Sequence, residues 1–219
     1  DPNVQNAEVG KKTADGLPVT ITYQLAGLEI PYTVEYFIRN NGDIKVIAGI
    51  DVSGKDLPEL PRFGMRMILP GDYENLEYYG RGPLENYQDR NTAAFVGIYE
   101  DKVENQFTWS YIRPQESGYK TDTRWLTLTN NAGKGVRIEG EQPLGFSALD
   151  VATEDLDPGK TKAQMHPTDI ATYDKVFLHV DLKQRGLGGL NSWGALPRDE
   201  YRLLDDNYSY SYTISILKE

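Results

Sequence analysis

The stretch YSYSYTISILKE, from Tyr208 to Glu219, decides the fold class. Tyrosine and isoleucine occupy every second position from Tyr208 to Ile216, and serine and threonine fill the positions between them. A period of two residues places alternate side chains on opposite faces of a β-strand, so one face packs and the other meets water or small neighbours. The chain therefore ends in a predicted β-strand with one buried face.

The amino-terminal part of the chain repeats this strand pattern. Three segments there are rich in β-branched and aromatic residues, namely Val19–Leu25, Tyr32–Arg39 and Ile44–Asp51. The second and third are joined through the sequence NNGD, in which Asn41-Gly42 is a strong hairpin signal. These segments predict antiparallel strands.

The segment KVFLHVDLK, Lys175 to Lys183, predicts another strand with Val176, Leu178, Val180 and Leu182 on one face and Phe177, His179 and Asp181 on the other. It leads into QRGLGGLNSWGALP, Gln184 to Pro197, whose glycines predict an irregular loop. Only ATEDLD, Ala152 to Asp157, predicts a short helix. We expect residues 1–219 to form a single all-β domain, a large antiparallel β-sandwich.

Charge and composition exclude several functions. The formal net charge is -10, which repels phosphate backbones and anionic lipid, so we expect neither nucleic acid nor a membrane surface as partner. The chain has no cysteine, and disulfides, thiolate metal sites and cysteine nucleophiles are therefore excluded. The compartment stays open between the cytoplasm and the periplasm of a bacterium.

Two polar stretches hold the candidate binding residues. LEYYGRGPLENYQDRN contains Arg81, Glu85, Asp89 and Arg90 among tyrosines, a combination that suits a sugar site because rings stack on C–H faces while hydroxyls need donors and acceptors. The alternative is an ion-pair network that holds a long loop over the tyrosines. Both interpretations stay open at this point.

The second polar stretch is SYIRPQESGYKTDTRWLTL, with candidate residues Arg113, Glu116, Asp122 and Arg124. Its end alternates like a strand, which predicts Asp122 and Arg124 on one face and Trp125 on the other. Glu116 lies on a loop, where its carboxylate has two equally weighted roles: contacting a ligand or accepting hydrogen bonds from backbone N–H groups.

Catalytic motifs are missing from the sequence. It has no GxSxG, no HExxH and no phosphate-binding glycine loop, and no ligand spacing in it requires a metal site, so we predict none. The two histidines are His166 and His179. A lone histidine on a strand is more often a hydrogen-bonded structural residue than a ligand.

Five ordered motifs resemble the carboxy-terminal, small-chain domain of bacterial β-galactosidases of glycoside hydrolase family 2. They are LPRFGMRM (Leu60–Met67), YYGRGPLENYQDR (Tyr78–Arg90), YIRPQESGYKTDTRW (Tyr111–Trp125), FSA (Phe146–Ala148) and VDLKQRGLGGLNSWG (Val180–Gly194). The resemblance implies a β-supersandwich of the galactose mutarotase type. It also implies a parent enzyme that removes terminal non-reducing β-D-galactose from β-galactosides.

In that family the catalytic glutamates and the metal ligands belong to a central (β/α)₈ barrel. The resemblance therefore implies that the barrel of the same polypeptide is a partner and that these 219 residues hold no catalytic residue and are inactive alone. It also implies that Mg and Na belong to the parent enzyme and that the parent can be a homo-oligomer. The chain begins Asp1-Pro2-Asn3, so we expect a processed product or an excised carboxy-terminal piece.

The glycine-rich loop carries the site residues that the resemblance implies. Trp193 occupies the position of the family tryptophan that forms an apolar platform for the sugar at the mouth of the barrel, and Asn191 and Ser192 flank it. The alternative for Trp193 is a plug over the end of the sandwich.

Two other functions compete with the leading hypothesis. One is an aldose 1-epimerase-like activity, for which His166 or His179 with Glu116 would supply the acid and base. The other is a freestanding carbohydrate-binding module that uses Trp193, Trp109 or Trp125 as its platforms.

Overall fold

The computed structural model describes residues 3–25, 29–109, 111, 116–156, 166–191 and 193–218. The strands are β1 (Asn3–Val9), β2 (Gly16–Leu25), β3 (Ile30–Arg39), β4 (Ile44–Asp51), β5 (Arg62–Pro70), β6 (Asn75–Gly82), β7 (Phe95–Lys102), β8 (Lys120–Thr129), β9 (Gly135–Leu149), β10 (Lys175–Gln184) and β11 (Asn207–Leu217). One short α-helix, α1, spans Thr153–Leu156, and 3₁₀ turns span Val103–Asn105, Pro167–Asp169 and Asp199–Tyr201.

Every strand pairing in the described residues is antiparallel. The strands follow the order β1-β2-β3-β4-β11-β9-β8-β6-β7, and β10 joins β9 on one side and β5 on the other. The long strand β9 makes this branching possible, because Gly135–Gly140 pairs with β11 and Gly145–Leu149 pairs with β10. The prediction of an all-β antiparallel fold is confirmed.

The β5–β10 pair packs across β11 and closes a sandwich over the main core. The Tyr210 hydroxyl on β11 donates a hydrogen bond to the Val180 carbonyl on β10 at 2.8 Å, and the Phe63 ring on β5 lies 5.6 Å from the Tyr210 ring. A buried tyrosine needs a partner for its hydroxyl, and a backbone carbonyl of the facing layer supplies it here. The alternating tyrosines of β11 thus join the two layers.

The sequence signals for strands and turns agree with the structure at most positions. Gly42 has φ +94° in the β3–β4 hairpin, where its N–H bonds to the Arg39 carbonyl at 3.0 Å, as the Asn-Gly signal predicts. On β11 the tyrosines at 208, 210 and 212 are buried and Ser209 is exposed, as the alternation predicts, whereas Ser211 is also buried and Ile216 at the end of the strand is exposed. The predicted short helix is confirmed as α1.

The two faces of β10 differ in chemistry. Val176, Leu178 and Val180 enter the apolar core, as the pattern predicts. On the opposite face Phe177 and Asp181 are also buried, so this strand is covered on both sides.

No helix in the described part of the chain is long and apolar enough to cross a membrane.

Candidate functional site

The loop of residues 186–197, here called the glycine loop, presents Trp193 to solvent. The side chain is 92% exposed, so it does not plug the end of the sandwich formed by the described residues. The Trp193 N–H donates to the Asn191 Oδ1 at 2.8 Å, which closes a small turn within the loop. Ser192 lies outside the described residues. The tip of the loop therefore offers an uncovered indole next to an amide side chain.

The stem of the glycine loop is bound to Asp89. The Leu187 N–H donates to Asp89 Oδ1 at 3.1 Å, and the Gly188 N–H donates to Asp89 Oδ2 at 2.8 Å. The Gly186 N–H bonds to the Tyr201 carbonyl at 2.7 Å. Asp89 thus links two of the sequence motifs, and its carboxylate is occupied by backbone N–H groups.

Glu85 is the centre of a network called here the Glu85 cluster. Its carboxylate accepts hydrogen bonds from the Tyr111 hydroxyl at 2.5 Å, the Gly118 N–H at 2.8 Å, Arg90 Nη2 at 2.8 Å and the Tyr87 hydroxyl at 3.3 Å. Burial alone would raise the pKa of Glu85, but the hydrogen bonds from Tyr111, Gly118 and Thr108, together with the charge of Arg90, hold that pKa below its usual range. Glu85 therefore fastens the loop after β6 to the segment before β8.

Arg81, Asp122 and Arg124 form a third group. Arg81 Nε donates to Asp122 Oδ2 at 2.5 Å and Arg81 Nη1 donates to the Ala94 carbonyl at 2.8 Å. Asp122 has φ +52° at a bulge in β8, so the regular alternation expected for this strand is interrupted there. The Arg124 guanidinium donates to the Asp122 carbonyl and lies over the Tyr79 ring.

Glu116 joins a partly buried set called here the Arg62 cluster, which consists of Arg62, Glu116, His179, Asp181 and Gln184. Arg62 Nη2 donates to Glu116 Oε1 at 2.8 Å and to Gln184 Oε1 at 2.7 Å, and Arg62 Nε lies 2.9 Å from Asp181 Oδ2. One guanidinium therefore holds three elements together. Arg113, the remaining candidate residue, lies outside the described residues.

His179 completes the Arg62 cluster and is fixed as a neutral ring. Arg62 Nη1 lies 2.9 Å from His179 Nδ1, and Thr153 Oγ1 lies 3.1 Å from Nε2. Because arginine can only donate, Nδ1 accepts and Nε2 carries the proton. Burial, followed by the charges of Arg62 and Arg66, lowers the pKa of His179 to about 3. This geometry does not support His179 and Glu116 as an acid–base pair, because Arg62 lies between them.

Asp181 is the most deeply buried carboxyl of this cluster. Burial raises its pKa to about 7 against the opposing attraction of Arg62.

His166, the other histidine, is exposed at the start of a 3₁₀ turn, where its N–H bonds to Asp169 at 2.8 Å. In the described ranges no group of three or more His, Cys, Asp or Glu side chains is placed to hold a metal ion.

Comparison with known proteins gives the same assignment as the motifs. The family model described as β-galactosidase small chain matches residues 2–214. The chain belongs to the β-galactosidase small-chain family.

Curated relatives of this small-chain domain are β-galactosidases. The chain is 37% identical to the β-galactosidase of Priestia megaterium over 84% of its own length, which is 17% of that protein. It is 34% identical to that of Halalkalibacterium halodurans over 92% of its length, and 35% identical to that of Streptococcus thermophilus over 93%. These matches span 20% and 19% of the two proteins. A solved structure of a putative aldose 1-epimerase from Escherichia coli K12 aligns with 96% of the chain at a TM-score of 0.44 and 9% identity.

Several polar residues that organise the small-chain domain were not among the residues predicted from the sequence. Arg62, Asp181 and Gln184 were not candidates, although Arg62 lies in the LPRFGMRM motif. One signal was available: His179 and Asp181 share the parity opposite to the apolar face of β10, and two polar groups on one face of a core strand indicate a buried network. The partner Arg62 could not be identified from this pattern.

Three exposed apolar residues, Leu84, Phe95 and Leu190, were not candidates either. Together with Trp109 and Trp193 they make up the set called here the loop-end surface, and each member is exposed by 72% or more. They lie on or beside segments that Glu85 and Asp89 tie together. Trp125 differs, because the Arg137 guanidinium lies 4.3 Å from the centre of its ring and covers it.

Proposed function

We propose that these 219 residues are a domain of a β-galactosidase, in which the glycine loop contributes an aromatic platform to the galactoside site while the catalytic groups lie elsewhere in a longer polypeptide. The observation that carries this proposal is the exposed Trp193 at the tip of a loop whose stem is bound by Asp89. Membership of the small-chain family and the 17–20% share of the relatives' length support it.

An indole exposed to water has a free-energy cost. A large aromatic side chain left in water forgoes about 1.5 to 3 kcal/mol that burial would supply, and an exposed ring therefore indicates something that covers it. The apolar C–H face of galactose suits an indole face. Asn191, whose side chain turns the loop back beside Trp193, places an amide where sugar hydroxyls need polar partners.

The partner in this proposal is the catalytic barrel of the same polypeptide, which packs on the loop-end surface. Five large, highly exposed apolar side chains on or beside joined segments favour a surface that a partner covers. The carboxylates of Glu85 and Asp89 in these segments accept hydrogen bonds from groups of the domain itself. Apolar and aromatic side chains are therefore available to a partner there.

The test is Trp193→Ala in the complete polypeptide that carries these residues, assayed with lactose and with a chromogenic galactoside. Losing a packed aromatic contact of about 1 to 3 kcal/mol raises KM by roughly 5- to 150-fold, while the melting temperature stays unchanged. Trp193→Phe, which keeps a ring, retains most of the affinity.

Ile216→Ala is the matched control, because it removes an exposed apolar side chain that lies outside the loop-end surface. An unchanged KM and product ratio in Trp193→Ala would overturn the platform role. Saturable galactose binding by the 219 residues alone would favour a freestanding binding module, and faster mutarotation of galactose would favour an epimerase.

A further inference from the structure

We infer that Asp89 is a positioning residue for Trp193: its carboxylate fixes the stem of the glycine loop and thereby sets where the indole stands relative to a bound galactoside. The inference rests on the proposed function of the loop. Its first step, the control of Trp193 by Asp89, is testable without any sugar.

The contacts at the stem form a two-sided clamp. On one side each Asp89 oxygen receives a single backbone N–H, from Leu187 and from Gly188. On the other side the Gly186 N–H bonds to the Tyr201 carbonyl, and the Arg185 N–H bonds to the Pro61 carbonyl at 3.0 Å. Four consecutive amides are therefore tied to parts of the molecule outside the loop.

Two glycines make this clamp sterically possible. A Cβ at position 186 would lie 2.6 Å from the Asp89 carboxyl carbon, so any larger residue would push the carboxylate away from the stem. Gly188 has φ +75°, a backbone conformation that residues with a side chain rarely adopt. The glycines of the motif thus serve the approach of Asp89 as well as the turn of the loop.

The tip is held differently from the stem. Trp193 is tied to Asn191 inside the loop, and the indole itself is almost fully exposed. The direction of the stem at Gly188 therefore sets where the ring stands, since five residues of chain span up to roughly 17 Å when extended. A small change in direction at Gly188 then displaces the ring by several ångströms, enough to remove it from a sugar face.

The first experiment compares Asp89→Asn and Asp89→Ala with the wild-type chain. The asparagine amide can accept only one of the two N–H groups and turns a donor toward the other, while alanine accepts none. We expect amide hydrogen exchange at Leu187 and Gly188 to become about tenfold faster or more, in the order alanine, asparagine, wild type. Trp193 fluorescence anisotropy, measured with Trp109 and Trp125 replaced by phenylalanine, should be highest in the wild type, lower in Asp89→Asn and lowest in Asp89→Ala.

Asp15→Asn is the matched control, because it removes the same charge from an exposed site in the turn before β2. It leaves the exchange of Leu187 and Gly188 and the anisotropy of Trp193 at their wild-type values. If Asp89→Asn leaves both readouts unchanged as well, the stem does not depend on Asp89 and the inference is wrong.

Gly186→Ala tests the same clamp from the opposite side. Its added methyl group meets the Asp89 carboxylate, so it should accelerate exchange at Gly188 as Asp89→Ala does. The two changes combined should have no more effect than either alone, since each breaks the same contact. Additive effects would show that Gly186 and Asp89 act independently and would contradict the clamp.

The second experiment uses the complete polypeptide and separates this inference from the proposed function. Asp89→Asn should raise KM for a galactoside and change kcat and the melting temperature little. In a chain that already carries Trp193→Ala, Asp89→Asn should cause no further increase in KM. If Trp193→Ala raises KM and Asp89→Asn does not, the positioning role fails and the platform survives. If Trp193→Ala has no effect on KM, the platform fails, and the exchange and anisotropy data alone decide whether Asp89 places the ring.

Discussion

The Glu85 cluster and the glycine loop lie at the same end of the molecule and use their side chains in opposite ways. Glu85 points inward, with a side chain only 7% exposed, and all its contacts named above are to groups of the domain. Trp193 points outward and is 92% exposed. The charged residue that the sequence offered as a sugar ligand therefore stabilises the domain. The apolar residue remains available to a partner or a substrate.

Removing Glu85 should produce the largest effect on folding. Glu85→Ala leaves the Tyr111 hydroxyl, the Gly118 N–H and the Arg90 guanidinium without their acceptor, and we expect the free energy of unfolding to fall by about 3 to 5 kcal/mol. Urea denaturation of the 219 residues measures it. Glu35→Ala, at an exposed position of β3, is the control. A loss no larger than the control's would mean that Glu85 is not structural and would reopen its role in binding sugar.

His179 should make stability depend on pH. Its folded pKa of about 3 lies below the ordinary 6.5, so the unfolded chain binds the proton first as the pH falls. The contribution of His179 to the free energy of unfolding is therefore full above about pH 6.5, and it decreases by up to about 1.4 kcal/mol per pH unit as the pH falls toward 3.

The variant His179→Asn keeps an acceptor for Arg62 and removes this titration. Between about pH 6 and 4 the unfolding free energy should change less steeply with pH than in the wild type. The slope should be smaller by about 1.4 kcal/mol per pH unit, which corresponds to one proton. His166→Asn makes the same change at the exposed histidine and serves as the control. Equal slopes in both variants would show that His179 is not held neutral by the Arg62 cluster.

The loop-end surface should give the smallest effect in the isolated chain. Phe95→Ala and Trp193→Ala alter exposed side chains, so the free energy of unfolding should change by less than about 0.5 kcal/mol. In the complete polypeptide the amides around Phe95 should exchange more slowly than in the 219 residues, because the proposed interface with the barrel would cover them. Equal exchange in the two would contradict the proposed interface.

Much of the fold could be predicted because strands carry a local signal. The period of two in β11, the Asn-Gly turn between β3 and β4 and the apolar face of β10 each depend on neighbouring residues only. The bulge at Asp122 could not be predicted, since no residue near it signals a break in the alternation. For the same reason Ile216, which matches the pattern of β11, could not be identified as exposed.

By itself the sequence determined the antiparallel class, the family through its ordered motifs and the loop that carries Trp193. Tertiary structure alone decided which polar residues meet. Asp89 lies 99 residues before the Gly188 amide that it binds, and Arg62 lies 117 residues before His179. The physical reason is that a local pattern fixes which face of a strand is buried, whereas strand order and register determine which distant side chains share that face.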